Sequence, residues 1–281
     1  MKYTNANSFK AKIKNIARKK QIPAQQVQQH YLIEQLLRLI AKSKYKNSFI
    51  VKGGYLIGSL IGVDKRTTMD LDITLKNVTL NENHLESVIK EILSLSREDE
   101  FQFVFDSLAP IRKDNDYGGF AVKINAYFDT LREVVFVDIS TGDQITPKEI
   151  QYSIRSVFAG DEIEILSYNL ETVFAEKIET VLNRGEGSTR PRDRYDLYML
   201  WKLRKEKVDI AILKQAIVNT ATKRGSINTV ENWNSQINSI KESDYQKQLW
   251  ENYQRSFKYA AEISFQESCD VIIDIMETLS L

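Results

Sequence analysis

The sequence predicts an α+β fold, a mixed β-sheet with flanking helices followed by a C-terminal helical region. Two observations carry this. Apolar, β-branched runs near 48–52, 69–75, 101–106, 119–128 and 133–140 read as strands, and helix-length segments separate only some of them, so the order is not the strict alternation of a purely parallel sheet. From about residue 169 onward apolar residues recur at helical spacing to the C-terminus, broken at 184–192 and near 224–227.

The elements follow in order. Residues 6–19 form a basic helix, and Pro23, at a first helical position, opens a second through Leu32, Leu36, Leu37, Leu39 and Ile40. Phe49-Ile50-Val51-Lys52 is an apolar strand that runs into Gly53-Gly54, and Tyr55–Gly62 reads as a short buried helix whose N-terminus at the glycines favours an anion. The next strand carries Asp70 and Asp72, which alternation places on one face while Leu71 and Ile73 enter the other. Two carboxylates about 7 Å apart on one strand repel each other, and a divalent cation shared with substrate phosphates is the usual relief. An isolated Asp-x-Asp is more often a pair of solvated acids. Here strand, Gly-Gly, helix-length spacer and Asp-x-Asp occur as an ordered set. Thr68, two residues before Asp70, is expected to share its face and look into the metal site.

A helix at 83–95 leads to the later strands, of which Val134-Val135-Phe136-Val137 ends at Asp138, expected at the sheet rim, with Asp129 a weaker competitor. Asn169 is an N-cap for a helix with Leu170, Val173, Phe174, Ile178, Val181 and Leu182 on one face. Lys177 borders that stripe, so its ammonium either snorkels to water or enters a cleft. The loop 184–192 is polar and basic, Pro191 and Asp193 start the next helix, and Arg190, Arg192 and Arg194 are candidate phosphate contacts.

Composition narrows the function classes. A chain of 281 residues can bury a full core, and its single cysteine, Cys269, excludes an intrachain disulfide framework and a cysteine-rich zinc site. No apolar run is long enough for a bilayer, so a cytoplasmic location and no membrane partner are expected. The net charge of +1 conceals an asymmetry: residues 1–52 hold twelve Lys or Arg against one acid, Glu34, which fits contact with a polyanion as well as a solvated basic face. His30 and His84 lie in no metal-spacing or nucleophile motif and are expected at the surface or at helix boundaries. Walker-type phosphate loops and Gly-x-Ser-x-Gly elbows are absent.

With Lys52-Gly53-Gly54, Arg66-Thr67-Thr68-Met69-Asp70-Leu71-Asp72, Val137-Asp138-Ile139-Ser140-Thr141-Gly142-Asp143, Tyr168–Thr180 and Arg192-Asp193-Arg194-Tyr195-Asp196-Leu197-Tyr198 in this order, the chain resembles the AbiEii/AbiGii toxin family of nucleotidyltransferases, in the DNA polymerase β-like superfamily. The resemblance spans roughly residues 49–200. It implies a nucleotidyltransferase-like sheet and three regions: a basic helical segment at 1–46, a catalytic core at 47–165, and a helical domain at 166–281 contributing Lys177 and Asp196. It implies Asp70, Asp72 and Asp138 as metal ligands for Mg²⁺ or Mn²⁺ and, with Lys177 and Asp196, as the catalytic set. Lys52, Gly53, Gly54, Arg66, Thr68 and Lys177 would bind the nucleoside triphosphate. The expected activity is transfer of a nucleoside monophosphate to an acceptor hydroxyl with release of pyrophosphate. The resemblance further implies a toxin with a cognate antitoxin in a toxin–antitoxin or phage-defence system, and an RNA acceptor such as a tRNA 3′ end, which the basic N-terminal segment is expected from its charge to bind. Two other readings stand beside this one: a transferase for a small-molecule or protein hydroxyl, and a nucleotide- or RNA-binding module without catalysis.

Overall fold

The computed structural model describes residues 3–78, 81–111 and 118–280. In chain order the elements are α1 (Ala6–Lys20), α2 (Ala24–Lys42), β1 (Phe49–Lys52), α3 (Gly53–Ile61), β2 (Asp70–Leu75), α4 (Glu82–Ser94), β3 (Gln102–Ile111), β4 (Gly119–Phe128), β5 (Leu131–Thr141), β6 (Ile150–Arg155) and β7 (Glu162–Ser167). Helices α5 (Leu170–Arg184), α6 (Pro191–Arg204), α7 (Ile210–Lys223), α8 (Ile227–Glu231), α9 (Trp233–Glu242), α10 (Asp244–Ser256) and α11 (Phe265–Thr278) complete the chain. Two compact units emerge, one of residues 1–143 and 150–167 and one of 144–149 and 168–281.

The first unit is built on a seven-stranded sheet in the order β3-β4-β5-β2-β1-β7-β6. β2 runs parallel to β5 and β1 parallel to β7, while β1–β2, β4–β5, β3–β4 and β6–β7 are antiparallel, which makes the sheet mixed. The β6–β7 hairpin has no counterpart in the strands read from the sequence. Its alternation, Ile150-x-Tyr152-x-Ile154, spans only six residues and leaves Ile150 exposed, a weak period-two signal. Asp138 also differs from expectation. β5 continues to Thr141, so Asp138 lies inside the strand and not at its end.

Residues 1–46, set apart in the sequence by their charge, belong to this unit because α1 is amphipathic. Phe9, Ile13 and Ala17 are buried, and Phe9 meets Tyr31 and Phe101 at centroid distances of 5.1 and 5.0 Å. The carboxylate of Asp129, at the β4–β5 turn, accepts from the Ala6 amide at 2.9 Å and so satisfies a donor at the start of α1. α2 crosses the core with Leu32, Ile33, Leu37 and Leu39 enclosed. Its buried Glu34 accepts from Ser156 Oγ at 2.6 Å and the Val157 amide at 2.9 Å, and Arg38 donates to both Asp161 oxygens at 2.7 Å, fixing α2 to the β6–β7 turn. His30 departs from its expected surface place. It is buried, stacks on Tyr55 at 4.8 Å and lies 3.3 Å from Glu34, one helical turn away.

The second unit is helical. α5 buries Val173, Phe174, Ile178, Val181 and Leu182, α6 buries Leu197, Leu200 and Trp201, and α7 and α11 present Leu213, Ile217, Ile272 and Ile275. Asn169 caps α5 by accepting from the Thr172 amide at 2.7 Å, and its own amide donates to Thr146 O at 2.8 Å and Lys148 O at 2.9 Å, tying the 144–149 segment to that helix.

Replacing Phe9 by Ala is expected to destabilise the protein by about 3–5 kcal/mol, because the aromatic cluster cannot collapse around the cavity. Urea unfolding read from tyrosine and tryptophan fluorescence measures it. A cost below about 1 kcal/mol would show that α1 is peripheral to the core.

Candidate functional site

The first unit gathers its acids through strand register. Lys52 pairs with Asp72 across β1–β2, and Asp72 pairs with Asp138 across β2–β5, so these three residues stand in one row over neighbouring strands. Neighbouring strands lie about 4.8 Å apart, so Asp72 and Asp138 are close like charges on one face, with Asp70 two residues along. Asp70 and Asp138 are exposed and Asp72 half-buried.

The turn from β1 into α3 is fixed by Asp72. Gly53 has φ +65°, and a Cβ there would fall 2.0 Å from Asp72 Oδ2, so only glycine fits. The Gly54 amide donates to the same oxygen at 3.3 Å. The anion seated at the start of α3 is therefore the protein's own carboxylate, and a triphosphate bound there would compete with Asp72 for that donor.

The other triphosphate candidates take varied positions. Arg66 is buried, donates to Thr67 O and packs against the first turn of α3, where a Cβ on Gly54 would meet its Nη2 at 2.9 Å. Thr68 lies before β2, which starts at Asp70; its hydroxyl accepts from the Asp70 amide at 3.4 Å and stands beside Gly54, where a Cβ would meet it at 3.0 Å. Lys52 donates to Asp143 Oδ2 at 2.6 Å and Ser140 Oγ at 2.8 Å. Burial would raise the pKa of Asp143, but the Lys52 charge and hydrogen bonds from Lys52, Thr74 and Ser140 overcome it and hold this carboxyl well below the usual carboxylate range.

Among the described residues no three His, Cys, Asp or Glu side chains are drawn together tightly enough to enclose a metal ion. The donor set nevertheless suits Mg²⁺ or Mn²⁺, since such ions take one or two carboxylates and complete their shell with water and substrate phosphate oxygens.

In the second unit Lys177, on α5, bonds Asp193 Oδ1 and lies 2.9 Å from Asp196 Oδ2, both on α6. Asp196 is fully enclosed, and among the described residues Asp193 Oδ2 has no hydrogen-bond partner. Sequence reasoning gave Asp193 only as a helix start. Its three-residue offset from Asp196 was the available signal, because that spacing puts both carboxylates on one helix face.

Arg194 contradicts its reading as a phosphate contact. It is 1% exposed, lies over the rings of Trp250 and Phe265 at 5.6 and 5.3 Å, and donates through Nη1 to Gln246 Oε1 at 2.8 Å. Burial draws its pKa down. Position decides this: Arg194 lies on the face of α6 that α10 and α11 cover, whereas Arg190 is exposed and Arg192 lies over Phe257 at 5.4 Å. Gln246 in turn donates to Glu186 O at 2.6 Å and Ser188 O at 2.7 Å, fastening the loop between α5 and α6.

A row of carboxylates on paired strands beside a glycine-bounded helix start is an arrangement suited to phosphoryl-group transfer. The family model "Nucleotidyl transferase AbiEii toxin, Type IV TA system" matches residues 35–271, and the chain belongs to that family. It is a nucleoside triphosphate-dependent nucleotidyltransferase. Among solved structures it is similar to "Crystal structure of putative nucleotidyltransferase from H. pylori" (15% identity, TM-score 0.49, covering 92% of this chain and 98% of that one). It is likewise similar to JHP933 from Helicobacter pylori (15% identity, TM-score 0.48, covering 91% and 94%). No curated protein matches.

Replacing Gln246 by Leu should cost about 2–4 kcal/mol, because it strands Arg194 Nη1 and two loop carbonyls in the interior. The freed loop should be cut by trypsin after Arg184 much faster than in wild type. An unchanged digestion rate would show that Gln246 does not hold it.

Proposed function

We propose that this toxin moves a nucleoside monophosphate from a triphosphate to a hydroxyl of RNA. The acceptor oxygen bonds to the α-phosphorus, the bond to the β-phosphate oxygen breaks, pyrophosphate leaves, and the hydroxyl proton passes to Asp138 or to water. Asp70, Asp72 and Asp138 are the residues to hold a divalent cation, which when bound supplies Lewis-acid polarisation of the phosphate. Gly53 and Gly54 allow close backbone approach to the triphosphate, with Lys52, Arg66 and Thr68 around that turn. Lys177 offsets phosphate charge, and Asp196, with Asp193, orients it. The observation that carries this reading is the level pairing of Asp72 with Asp138, with Asp70 on the same strand face and Gly53 admitting no side chain.

The RNA acceptor is supported by α1. Lys10, Lys14 and Arg18 recur every fourth residue and are exposed, as is Lys19, while Lys12 and Lys20 are half-exposed. Lys10, Lys14 and Arg18 line one side of the helix outside the buried stripe of Phe9, Ile13 and Ala17, a basic face suited to a phosphate backbone. A type IV toxin implies an antitoxin, and we place the pair in phage defence in the bacterial cytosol. No helix among the described residues is long and apolar enough to cross a membrane.

Incubation of the protein with each labelled triphosphate, Mg²⁺ and total RNA tests the reading directly. Label on RNA with matching pyrophosphate release supports it. Label on protein or a small molecule would favour the alternative transferase, and no pyrophosphate release would leave a binding module. Asp72→Asn should abolish transfer, and Lys177→Met should lower turnover by two orders of magnitude or more, since its charge acts mainly in the transition state. Near-normal turnover by either variant overturns the corresponding role.

Replacing Lys10, Lys12, Lys14, Lys19 and Lys20 by Gln should weaken RNA binding and lower the log–log salt slope by about 0.7–0.9 for each phosphate that is no longer neutralised. Filter binding across a salt series measures this. An unchanged slope would assign the basic face to solubility.

A further inference from the structure

We propose that Asp143 is a positioning residue that sets the spacing of the three strands carrying the transfer groups of the first unit. This inference rests on the assignment of Asp72 and Asp138 above. One oxygen, Asp143 Oδ2, accepts from Lys52 Nζ at 2.6 Å, Thr74 Oγ1 at 2.6 Å and Ser140 Oγ at 2.7 Å. Each donor comes from a different strand. Lys52 ends β1 and immediately precedes Gly53, Thr74 is two residues beyond Asp72 on β2, and Ser140 is two residues beyond Asp138 on β5.

Thr74 and Ser140 are themselves register partners, like Asp72 and Asp138, so the tie lies one repeat, about 7 Å, along the strands from the carboxylate pair. Lys52 also donates to Ser140 Oγ at 2.8 Å, closing the network across β1 and β5. Thr74 and Ser140 are 3% and 4% exposed, so their bonds to this oxygen compete little with water. The chain reaches this position through Gly142, whose φ of +77° turns it back so that Asp143 comes over the strands it has just left. Asp143 is also the last residue of the first unit before the chain enters the 144–149 segment of the second.

Like charges on neighbouring strands push those strands apart, and a charged acceptor bonded to all three opposes that push. Its effect falls on the distance between Asp72 and Asp138 and on the backbone of Gly53-Gly54. It does not require Asp143 to touch substrate.

The test is Asp143→Asn, which keeps the shape and an acceptor oxygen but removes the charge that holds Lys52. Amide hydrogen exchange should rise about tenfold or more at Gly54, Asp72 and Asp138 while the β3–β4 hairpin keeps its protection. Mn²⁺ affinity, read by electron paramagnetic resonance without triphosphate, should fall about 10- to 100-fold, as for other residues that orient metal ligands. The double variant Lys52→Met/Asp143→Asn should bind Mn²⁺ no more weakly than Asp143→Asn alone, because the two act through one interaction.

Should Asp143→Asn not fold, Lys52→Met retains the bonds from Thr74 and Ser140, and the rise in exchange should then centre on Gly54. Exchange that is unchanged, or that rises evenly over the whole sheet, overturns the proposal. Failure of the wild type to bind Mn²⁺ would count against the metal reading, and the exchange pattern would still decide the role of Asp143.

Discussion

The first unit depends on the close approach of one carboxylate to one turn. Asp72 Oδ2 occupies the space where any side chain at position 53 would begin, so β1 can enter α3 there only through a glycine with positive φ. That approach fixes how far β1 stands from β2 and points the first turn of α3 at the acids. Part of the cost of placing Asp70, Asp72 and Asp138 together is offset by the positive end of this helix. The same geometry makes the site responsive, because the helix start that now holds a carboxylate is also the place suited to an incoming phosphate.

What could be read from the sequence follows the strength of local periodicity. β2 and β5 are central strands with Leu71, Ile73, Val135, Val137 and Ile139 packed on one face and acids on the other, and such strands announce themselves. The β6–β7 pair does not, because six-residue strands with Glu162, Glu164 and Ser153 on their outer side look like a polar loop. Capping was legible where the chemistry is local, as at Asn169.

Tertiary partners were not legible. Arg194 groups with its basic neighbours by charge, yet Trp250, Phe265 and Gln246, more than fifty residues on, decide its environment. His30 likewise depends on Tyr55 and Glu34. Asp143 stands within a recognisable run, Ser140-Thr141-Gly142-Asp143, but the strands it joins come together only in the fold. Charged side chains reveal where they sit in a sequence, and their roles are set by what folding brings against them.

The two lysines of the candidate set show the same rule in opposite settings. Lys52 and Asp143 form a pair of balanced charge, stiffened by two hydroxyls, and such a pair serves as a fixed point because neither member gains by leaving. Lys177 instead lies between two carboxylates of α6, Asp193 and Asp196, in largely buried surroundings. A buried acceptor without a donor is costly, and among the described residues Asp193 Oδ2 has no hydrogen-bond partner. Such an acceptor is satisfied by a further donor. Both carboxylates meet the Lys177 ammonium, so Asp193 positions it as directly as Asp196 does.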